Sequence, residues 1–144
     1  MEDNILGLLG LMRRAAAIQA GEDNASGAIH AGKARLLLLA SDINENAQRR
    51  AEGYVFGHRT LKVPMPYTGA ELASALGMQG CSMAAVTDMG FANALMKSLC
   101  QRDADAYTEL ANEMEHRFCK AERRKKQTAQ NKANKRNAKR RMVE

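Results

Sequence analysis

A continuous apolar run in the first third of the chain constrains its fold more than any other feature. Arg35 is followed by four leucines and an alanine, residues 36–40, with no polar residue among them. A run of this length without polar alternation is typical of a central strand that is covered on both faces. Leucine alone is not a strong strand former, so the turn signals that flank the run support the interpretation. The run therefore predicts a sheet buried between helices.

Segments with helical and strand-like patterns alternate on both sides of this run. Capping residues, terminating glycines and apolar spacing mark the helices. Asp42 and Asp88 are predicted to cap two of them, Thr68 and Glu71 to form a capping box, and Gly32 to end another helix in the left-handed conformation. The predicted order is a helix over about residues 4–15, a helix from about 21 to 32, a strand at 35–40, a helix over about 43–55, a strand at 60–63, a helix from 68 to 77, a strand at 82–86 and a helix from 88. This alternation predicts an α/β fold, a three-layer α/β/α sandwich with a small mixed sheet.

The helical pattern changes after residue 100. Apolar residues from Tyr107 to Phe118 recur on one helical stripe, which predicts a face packed on the body or on a partner. From Lys120 onward the stripe disappears, and the segment is either a solvated helix or a disordered arm that orders on a polyanion. We therefore predict a domain over residues 1–100, followed over residues 101–144 by an amphipathic helix and a basic tail.

Charge is strongly segregated along the chain. Residues 1–116 hold 10 Lys/Arg and 14 Asp/Glu, whereas residues 117–144 hold 12 Lys/Arg and only two acids. An acidic body with a basic tail favours a polyanionic partner, with nucleic acid ahead of membrane. Aromatic residues make up only 4% of the chain, which argues against a platform that stacks unpaired bases.

Cysteines and histidines form no pattern that carries chemistry. Cys81, Cys100 and Cys119 are odd in number and no CxxC pair occurs, so we predict neither a disulfide framework nor a zinc site. No histidine has a partner at metal-ligand spacing, and no glycine-rich phosphate loop is found. The glycine-broken apolar run at residues 5–12 follows acidic residues, unlike a signal peptide or a membrane span. We expect a cytoplasmic protein with no cofactor, metal, catalytic residue or membrane partner.

An ordered set of short motifs over roughly residues 5–99 resembles the kink-turn-binding ribosomal protein superfamily. This superfamily includes the archaeal L-seven-Ae protein, the eukaryotic L-thirty-e and S-twelve-e proteins, and small stand-alone bacterial relatives. The motifs are Leu9-Gly10-Leu11-Met12-Arg13-Arg14-Ala15, then Gly21 through Gly32-Lys33-Ala34-Arg35-Leu36, Leu39-Ala40-Ser41-Asp42, Gly69-Ala70-Glu71-Leu72, Leu76-Gly77, and Ala85-Val86-Thr87-Asp88-Met89-Gly90-Phe91-Ala92. The resemblance implies a structural RNA-binding protein that is not an enzyme.

In that family the start of the second helix enters the widened groove of a kink-turn, where a Gly-x-Asn-Glu segment reads sheared guanine–adenine pairs. The resemblance implies that Gly21 allows close backbone approach, while Asp23 stands at the Asn position and Asn24 at the Glu position. The amide and the carboxylate are thus in swapped order, and the Lys that the family tends to carry at the position of Gly27 is missing. Glu22 adds a second acid that would repel phosphate. We expect binding of folded RNA with a relaxed or altered kink-turn preference.

Three further groups of residues are predicted to contact RNA. The resemblance implies a second contact at residues 78–82, and Lys33 and Arg35 are expected to lie beside the helix tip. The cations of the tail would meet phosphates without reading sequence. The predicted RNA-binding residues are Gly21, Glu22, Asp23, Asn24, Lys33, Arg35, Gln79, Gly80, Cys81, Ser82, Arg123, Arg124, Lys125 and Lys126.

Simpler interpretations stay open for each group. The start of the second helix is also consistent with a well-capped surface helix, and Lys33 and Arg35 with solvated charges. Residues 78–82 are equally consistent with a plain connecting loop, and the tail remains consistent with a solubilising segment. Structured RNA, ribosomal RNA and ribosomal proteins are the predicted partners, and DNA is not expected. The alternatives are a protein-interaction module or a small α/β nucleotide-binding domain with an incidental cationic tail.

Overall fold

The computed structural model describes residues 4–143 of the chain, and the side chains of residues 4–139. The described part forms a four-stranded sheet with helices against it. The helices are α1 (Asn4–Arg14), α2 (Glu22–His30), α3 (Glu45–Val55), α4 (Gly69–Leu76), α5 (Met89–Arg102) and α6 (Ala104–Val143), and the strands are β1 (Ile18–Ala20), β2 (Leu36–Leu39), β3 (Leu61–Pro64) and β4 (Met83–Val86). These include the helices and strands that the sequence predicts, and β1 is an additional strand that it did not predict.

The sheet has the strand order β1-β4-β2-β3 and is mixed. Strands β2 and β3 run parallel, whereas β4 lies between β1 and β2 and runs antiparallel to both. The sequence did not predict β1, because three residues are too few to show a period of two. It forms because Ile18 pairs with Val86, at the end of β4.

Strand β2 is buried on both faces, which explains its lack of polar alternation. Leu36 and Leu38 lie in a core cluster with α1, α4, α5 and the start of α6. Leu37 and Leu39 point to the other face, into a smaller cluster with α2 and α3. The alternation of neighbouring leucines between two cores is the period-two geometry of a strand. The predicted three-layer α/β/α sandwich is confirmed.

Polar side chains accept hydrogen bonds from backbone N–H groups at the starts of α3, α4, α5 and α6. Thr68 and Glu71 form the predicted capping box at the start of α4. Asp88 caps α5 as predicted, since its Oδ2 accepts from the N–H of Phe91 at 2.9 Å. The cap predicted for α3 is wrong: Asn44 accepts from the N–H of Ala47, and the helix begins two residues later than expected.

The first three turns of α6 belong to the core of the domain. Tyr107, Ala111 and Met114 are at most 9% exposed and pack in the larger cluster, chiefly against α5. Beyond Glu122 every described side chain of α6 is exposed. The basic segment is therefore a solvated helix, the first of the two predicted alternatives.

The phenol of Tyr107 links α6 to the sheet. Its hydroxyl donates to the carbonyl of Pro64, at the end of β3. Burial first, and then the nearby carboxylate of Asp103, raise the pKa of Tyr107 above its ordinary value of 10.0, and Arg102 opposes them. The folded chain therefore holds the phenolic proton more tightly than the unfolded chain does.

We predict that Leu37→Ala lowers the free energy of unfolding by about 2–5 kcal/mol, because it leaves a cavity between β2 and the α2/α3 layer. Leu37 is 0% exposed, whereas Leu11 on α1 is 50% exposed. Leu11→Ala is the matched control and should change stability by about 0.5 kcal/mol or less. Urea unfolding followed by circular dichroism measures both, and equal losses would contradict the assignment of β2 to the centre of the sheet.

Tyr107→Phe is expected to lower the free energy of unfolding by about 1 kcal/mol at neutral pH, since one hydrogen bond is lost. The stabilisation from the raised pKa is present in full below the unfolded value of 10.0 and is lost as the pH rises through the folded value. The difference between wild type and variant should therefore shrink in alkaline solution. Urea unfolding on both sides of pH 10.0 checks this, and a difference that stays constant would refute it.

Candidate nucleic-acid interface

Gly21 connects the end of β1 to the first turn of α2. Its φ of 94° and ψ of 154° lie in a region that glycine alone adopts readily. Its N–H donates to the carbonyl of Met83 at 3.0 Å, and its carbonyl accepts from the N–H of Ala25 at 2.9 Å. As the N-cap residue, Gly21 has no side chain that could accept a hydrogen bond from the start of this helix. The N–H groups of the first turn consequently point outward without a side-chain acceptor, an arrangement that suits an anion.

The side chains of this first turn have three different environments. Glu22 forms an ion pair with Arg50 of α3, with Nε and Oε1 2.9 Å apart, and this hydrogen bond raises the pKa of Arg50. Asn24 donates from Nδ2 to the carbonyl of Ala20 at 2.9 Å, which leaves its Oδ1 as an acceptor. Asp23 is exposed, and its carboxylate has no hydrogen bond or ion pair within the described part of the chain. Asp23 is therefore the acceptor whose charge is not neutralised at the tip of α2, which we define as residues 21–24.

Residues 78–82 lie directly beside this tip. A Cβ built on Gly21 would be 3.7 Å from Cε of Met78. Gln79 and Gly80 are exposed, whereas Cys81 is 4% exposed, and its thiol donates to the carbonyl of Met83 at 3.3 Å. The structure brings the helix start and this loop together on one surface.

The buried thiol of Cys81 supports the loop from inside. Burial raises the pKa of the Cys81 thiol, and hydrogen bonds with the backbone of Gly21 and Met83 oppose the rise. The thiol therefore stays protonated at neutral pH and bonds to the strand below it. Of the loop residues predicted to contact RNA, Gln79 and Gly80 are the ones that solvent reaches freely, and Ser82 is half-buried.

The start of α4 completes this surface, which sequence reasoning had missed. Asp42 does not cap α3; its Oδ1 accepts from the N–H of Gly69 at 2.8 Å. A Cβ on Gly69 would lie 3.1 Å from the carbonyl oxygen of Cys81, so a larger residue would press on the loop. The only sequence signal was a glycine in the first position after the Thr68 cap.

Lys33 and Arg35 are not beside the tip, and this part of the prediction is wrong. Arg35 donates its N–H to the carbonyl of Val86, whereas Gly21 donates to Met83 at the other end of β4. Three residue steps along β4 separate these levels, roughly 10 Å at about 3.3 Å per residue. Helix α2 runs between them along the sheet, and Lys33 follows its C-terminal end.

The tail residues Arg123, Arg124, Lys125 and Lys126 are exposed on α6. Arg124 lines a cleft together with Arg35, so this helix passes the Arg35 end of the sheet. Lys125 lies 3.7 Å from Glu122 in an exposed ion pair. The structure therefore separates the predicted RNA-binding residues into two groups, one at each end of the sheet.

Within residues 4–143, no helix has the length and apolar character needed to cross a lipid bilayer. Over the same residues, no group of three or more His, Cys, Asp or Glu side chains is arranged to hold a metal ion.

The chain is similar to known proteins in both sequence and fold. It is 32% identical to the RNA-binding protein YlxQ of Bacillus subtilis (strain 168) over 96 residues, covering 64% of this chain and 91% of the relative. A solved Bacillus halodurans protein of unknown function is 25% identical at a TM-score of 0.61, with 67% of this chain and 97% of that chain covered. The Giardia lamblia 15.5kD RNA binding protein, 16% identical at a TM-score of 0.54 over 72% of this chain and 92% of its own, shares the fold. No protein-family model matches the chain.

We predict that Gly21→Ala destabilises the fold by about 1–3 kcal/mol, because an alanine at φ 94° is strained even where space allows its methyl group. Gly27, in the middle of the same helix, has open space around its Cβ position, so Gly27→Ala should stabilise by up to about 1 kcal/mol. Thermal unfolding of the two variants provides the comparison. Equal effects of the same sign would show that the conformation of Gly21 is not required.

Proposed function

This chain belongs to the L-seven-Ae/L-thirty-e family, and we propose that, like its relative YlxQ, it is an RNA-binding protein. The observation that carries the proposal is the uncapped first turn of α2, with Gly21 at its start and the carboxylate of Asp23 exposed. Free N–H groups at a helix start attract phosphate, and a carboxylate beside them accepts from the N–H groups of a base. The tip of α2 thus offers N–H groups to an RNA phosphate and a carboxylate to an RNA base.

We infer that the RNA is a kink-turn or a similarly folded element. A regular RNA duplex hides its base edges in a deep, narrow major groove, so a helix tip requires a groove that folding has widened. Gly21 presents no side chain there, and Asp23 and the Oδ1 of Asn24 are the two acceptors within reach of guanine N–H groups. Gln79 and Gly80 form the second wall of the same surface.

The ion pair between Glu22 and Arg50 makes this tip compatible with a polyanion. Two acids in the first turn would repel phosphate, but the guanidinium 2.9 Å from Glu22 neutralises one of them. Glu22 therefore contributes to RNA binding indirectly, by orienting a cation of α3 toward the tip. The carboxylate of Asp23 then makes binding selective. It accepts hydrogen bonds from a base edge that carries N–H groups, and it is repelled by phosphate.

We also propose a role for the basic tail, the partners, the location and the division of the chain. The cations Arg123, Arg124, Lys125 and Lys126 add salt-dependent phosphate affinity through α6. Ribosomal RNA and ribosomal proteins are the partners that such a family member would meet, in the cytoplasm. The function is structural recognition without turnover. Residues 1–100 carry the recognition and residues 101–144 the added phosphate affinity.

Asp23→Ala tests the proposed function, because it should weaken binding of one RNA without weakening binding of the other. The full chain is titrated with a kink-turn RNA and with an unkinked duplex of equal length. Loss of a charged hydrogen-bond acceptor should weaken kink-turn binding about tenfold or more, whereas removal of a negative charge should leave duplex binding equal or slightly stronger. Asp105→Ala, which removes an exposed acid from the first turn of α6, is the matched control and should leave the ratio of affinities unchanged.

If the wild-type chain binds the kink-turn and the duplex equally well, the proposal of kink-turn recognition is wrong. If Asp23→Ala weakens both RNAs to the same extent, Asp23 is not a selective acceptor. If the chain binds neither RNA, the proposed function itself fails.

A further inference from the structure

A cleft of about 240 Å³ lies where α6 passes the start of β2 and of α5. Five cationic residues line it: Arg35 from the sheet edge, Arg59 from the loop before β3, and Arg117, Lys120 and Arg124 from α6. Its floor is apolar, formed by methionine and alanine side chains. None of its lining residues is an acid. Three distant parts of the sequence thus contribute positive charge to one concave surface.

Most of these cations lack a counter-charge. Arg117 pairs with Glu113 at 2.7 Å and donates to the carbonyl of Arg59 at 2.5 Å, which anchors α6 to the loop before β3. Among the residues that the structure describes, Arg35, Arg59, Lys120 and Arg124 form no ion pair. Like charges collected around one cleft repel each other unless an anion lies between them.

Two acids lie next to the cleft, and among the described residues neither forms an ion pair with a residue that lines it. Asp88 and Glu122 line a depression that adjoins it. Asp88 accepts from the N–H of Phe91 at 2.9 Å as the cap of α5, and Glu122 lies 3.7 Å from Lys125. Elsewhere on the body, Arg50, Lys62 and Lys97 each have a carboxylate partner. Among the clefts of the described part of the chain, this one gathers five cations and no acid in its lining.

The cationic surface continues along α6 beyond the cleft. At 3.6 residues per turn, Lys132, Lys135 and Lys139 lie on the same helix face as Arg117 and Arg124. This stripe extends for about 33 Å, at about 1.5 Å per residue. A mononucleotide would occupy the cleft alone, whereas a stripe of this length matches a chain of phosphates.

We propose that the cleft and the stripe form a second RNA site, which binds backbone phosphates of an RNA segment other than the one at the tip of α2. The proposal rests on the proposed function, since it takes RNA to be the polyanion. The two sites lie at opposite ends of the sheet, with α2 running between them. One molecule therefore joins two RNA segments, a folded element at the tip and an unstructured or helical stretch along α6.

The test uses the full chain and a short oligouridine, which has no fold for the tip to recognise. Arg35→Gln with Lys120→Gln should weaken oligouridine binding about tenfold or more. The same change should lower the slope of log K against log salt by about 1.4, since each lost phosphate contact is worth about 0.7 for a single strand. Both side chains are exposed, so circular dichroism should stay unchanged. Preference for the kink-turn RNA over the duplex should be retained.

The matched control is Arg13→Gln with Arg14→Gln, which removes the same charge from the exposed end of α1, and neither of these residues lines the cleft. This control should leave both the affinity and the salt slope unchanged. Equal effects of the two double variants would overturn the proposal, because net charge alone would then explain binding. No effect of the cleft variant would overturn it as well.

A competition experiment separates this site from the tip. Saturating oligouridine should leave a labelled kink-turn RNA bound, as fluorescence anisotropy reports, and displacement of the kink-turn would show one shared site and overturn the proposal. Uridine monophosphate at the same phosphate concentration should not displace oligouridine, and displacement would identify a free-nucleotide site instead. If kink-turn preference is absent while the cleft variant still lowers oligouridine affinity, kink-turn recognition fails and the second site stands.

Discussion

The pairing of β4 antiparallel to β2 decides where both candidate RNA-binding surfaces lie. Because β2 and β3 run in one direction and β4 in the other, Leu39 and Met83 share one end of the sheet, and Leu36 and Val86 share the opposite end. The first end gathers the starts of α2, α3 and α4. The second end receives the C-terminus of α2 and the passage of α6. The buried leucines of β2 hold these two ends at a fixed separation, since both faces of the strand are packed.

The two ends supply positive potential by different physical means. At the tip of α2 it comes mainly from backbone N–H groups at helix starts, with Arg50 already paired to Glu22. At the other end it comes from long, exposed cationic side chains. Backbone donors are fixed in position and favour one geometry of ligand, whereas lysine and arginine side chains adapt and are screened by salt. Because of this difference, the tip of α2 on the acidic body is suited to a selective contact with RNA, and the basic tail is suited to a general contact with phosphates.

The sequence predicted local features well and long-range juxtapositions poorly. The leucine run, the Thr68 capping box and the left-handed glycine at position 32 each depend on neighbours within a few residues, and each was found as expected. The predicted position of Lys33 was wrong because α2 lies between Gly21 and Lys33 and runs along the sheet. Residues that are close in sequence therefore lie at opposite ends of the sheet. Arg59 was missed because α6 and β2 bring it to the cleft from far along the sequence. Asp42 was read as a local cap, but its acceptor role is toward α4.

The length of α6 follows from its composition, and its direction follows from its first turns. Alanine, lysine, glutamine and arginine are strong helix formers, so the exposed part continues as a helix without a core to pack on. Tyr107 and Met114 fix the start of that helix against the sheet and α5, and Arg117 fixes its next turn to the loop at Arg59. Repulsion among the lysines of the exposed part destabilises the helix when no anion is bound, and bound phosphates would neutralise that repulsion. The same anchoring that stabilises the domain therefore places the start of the cationic stripe at the Arg35 end of the sheet, opposite the tip of α2, so that the two proposed RNA contacts lie apart.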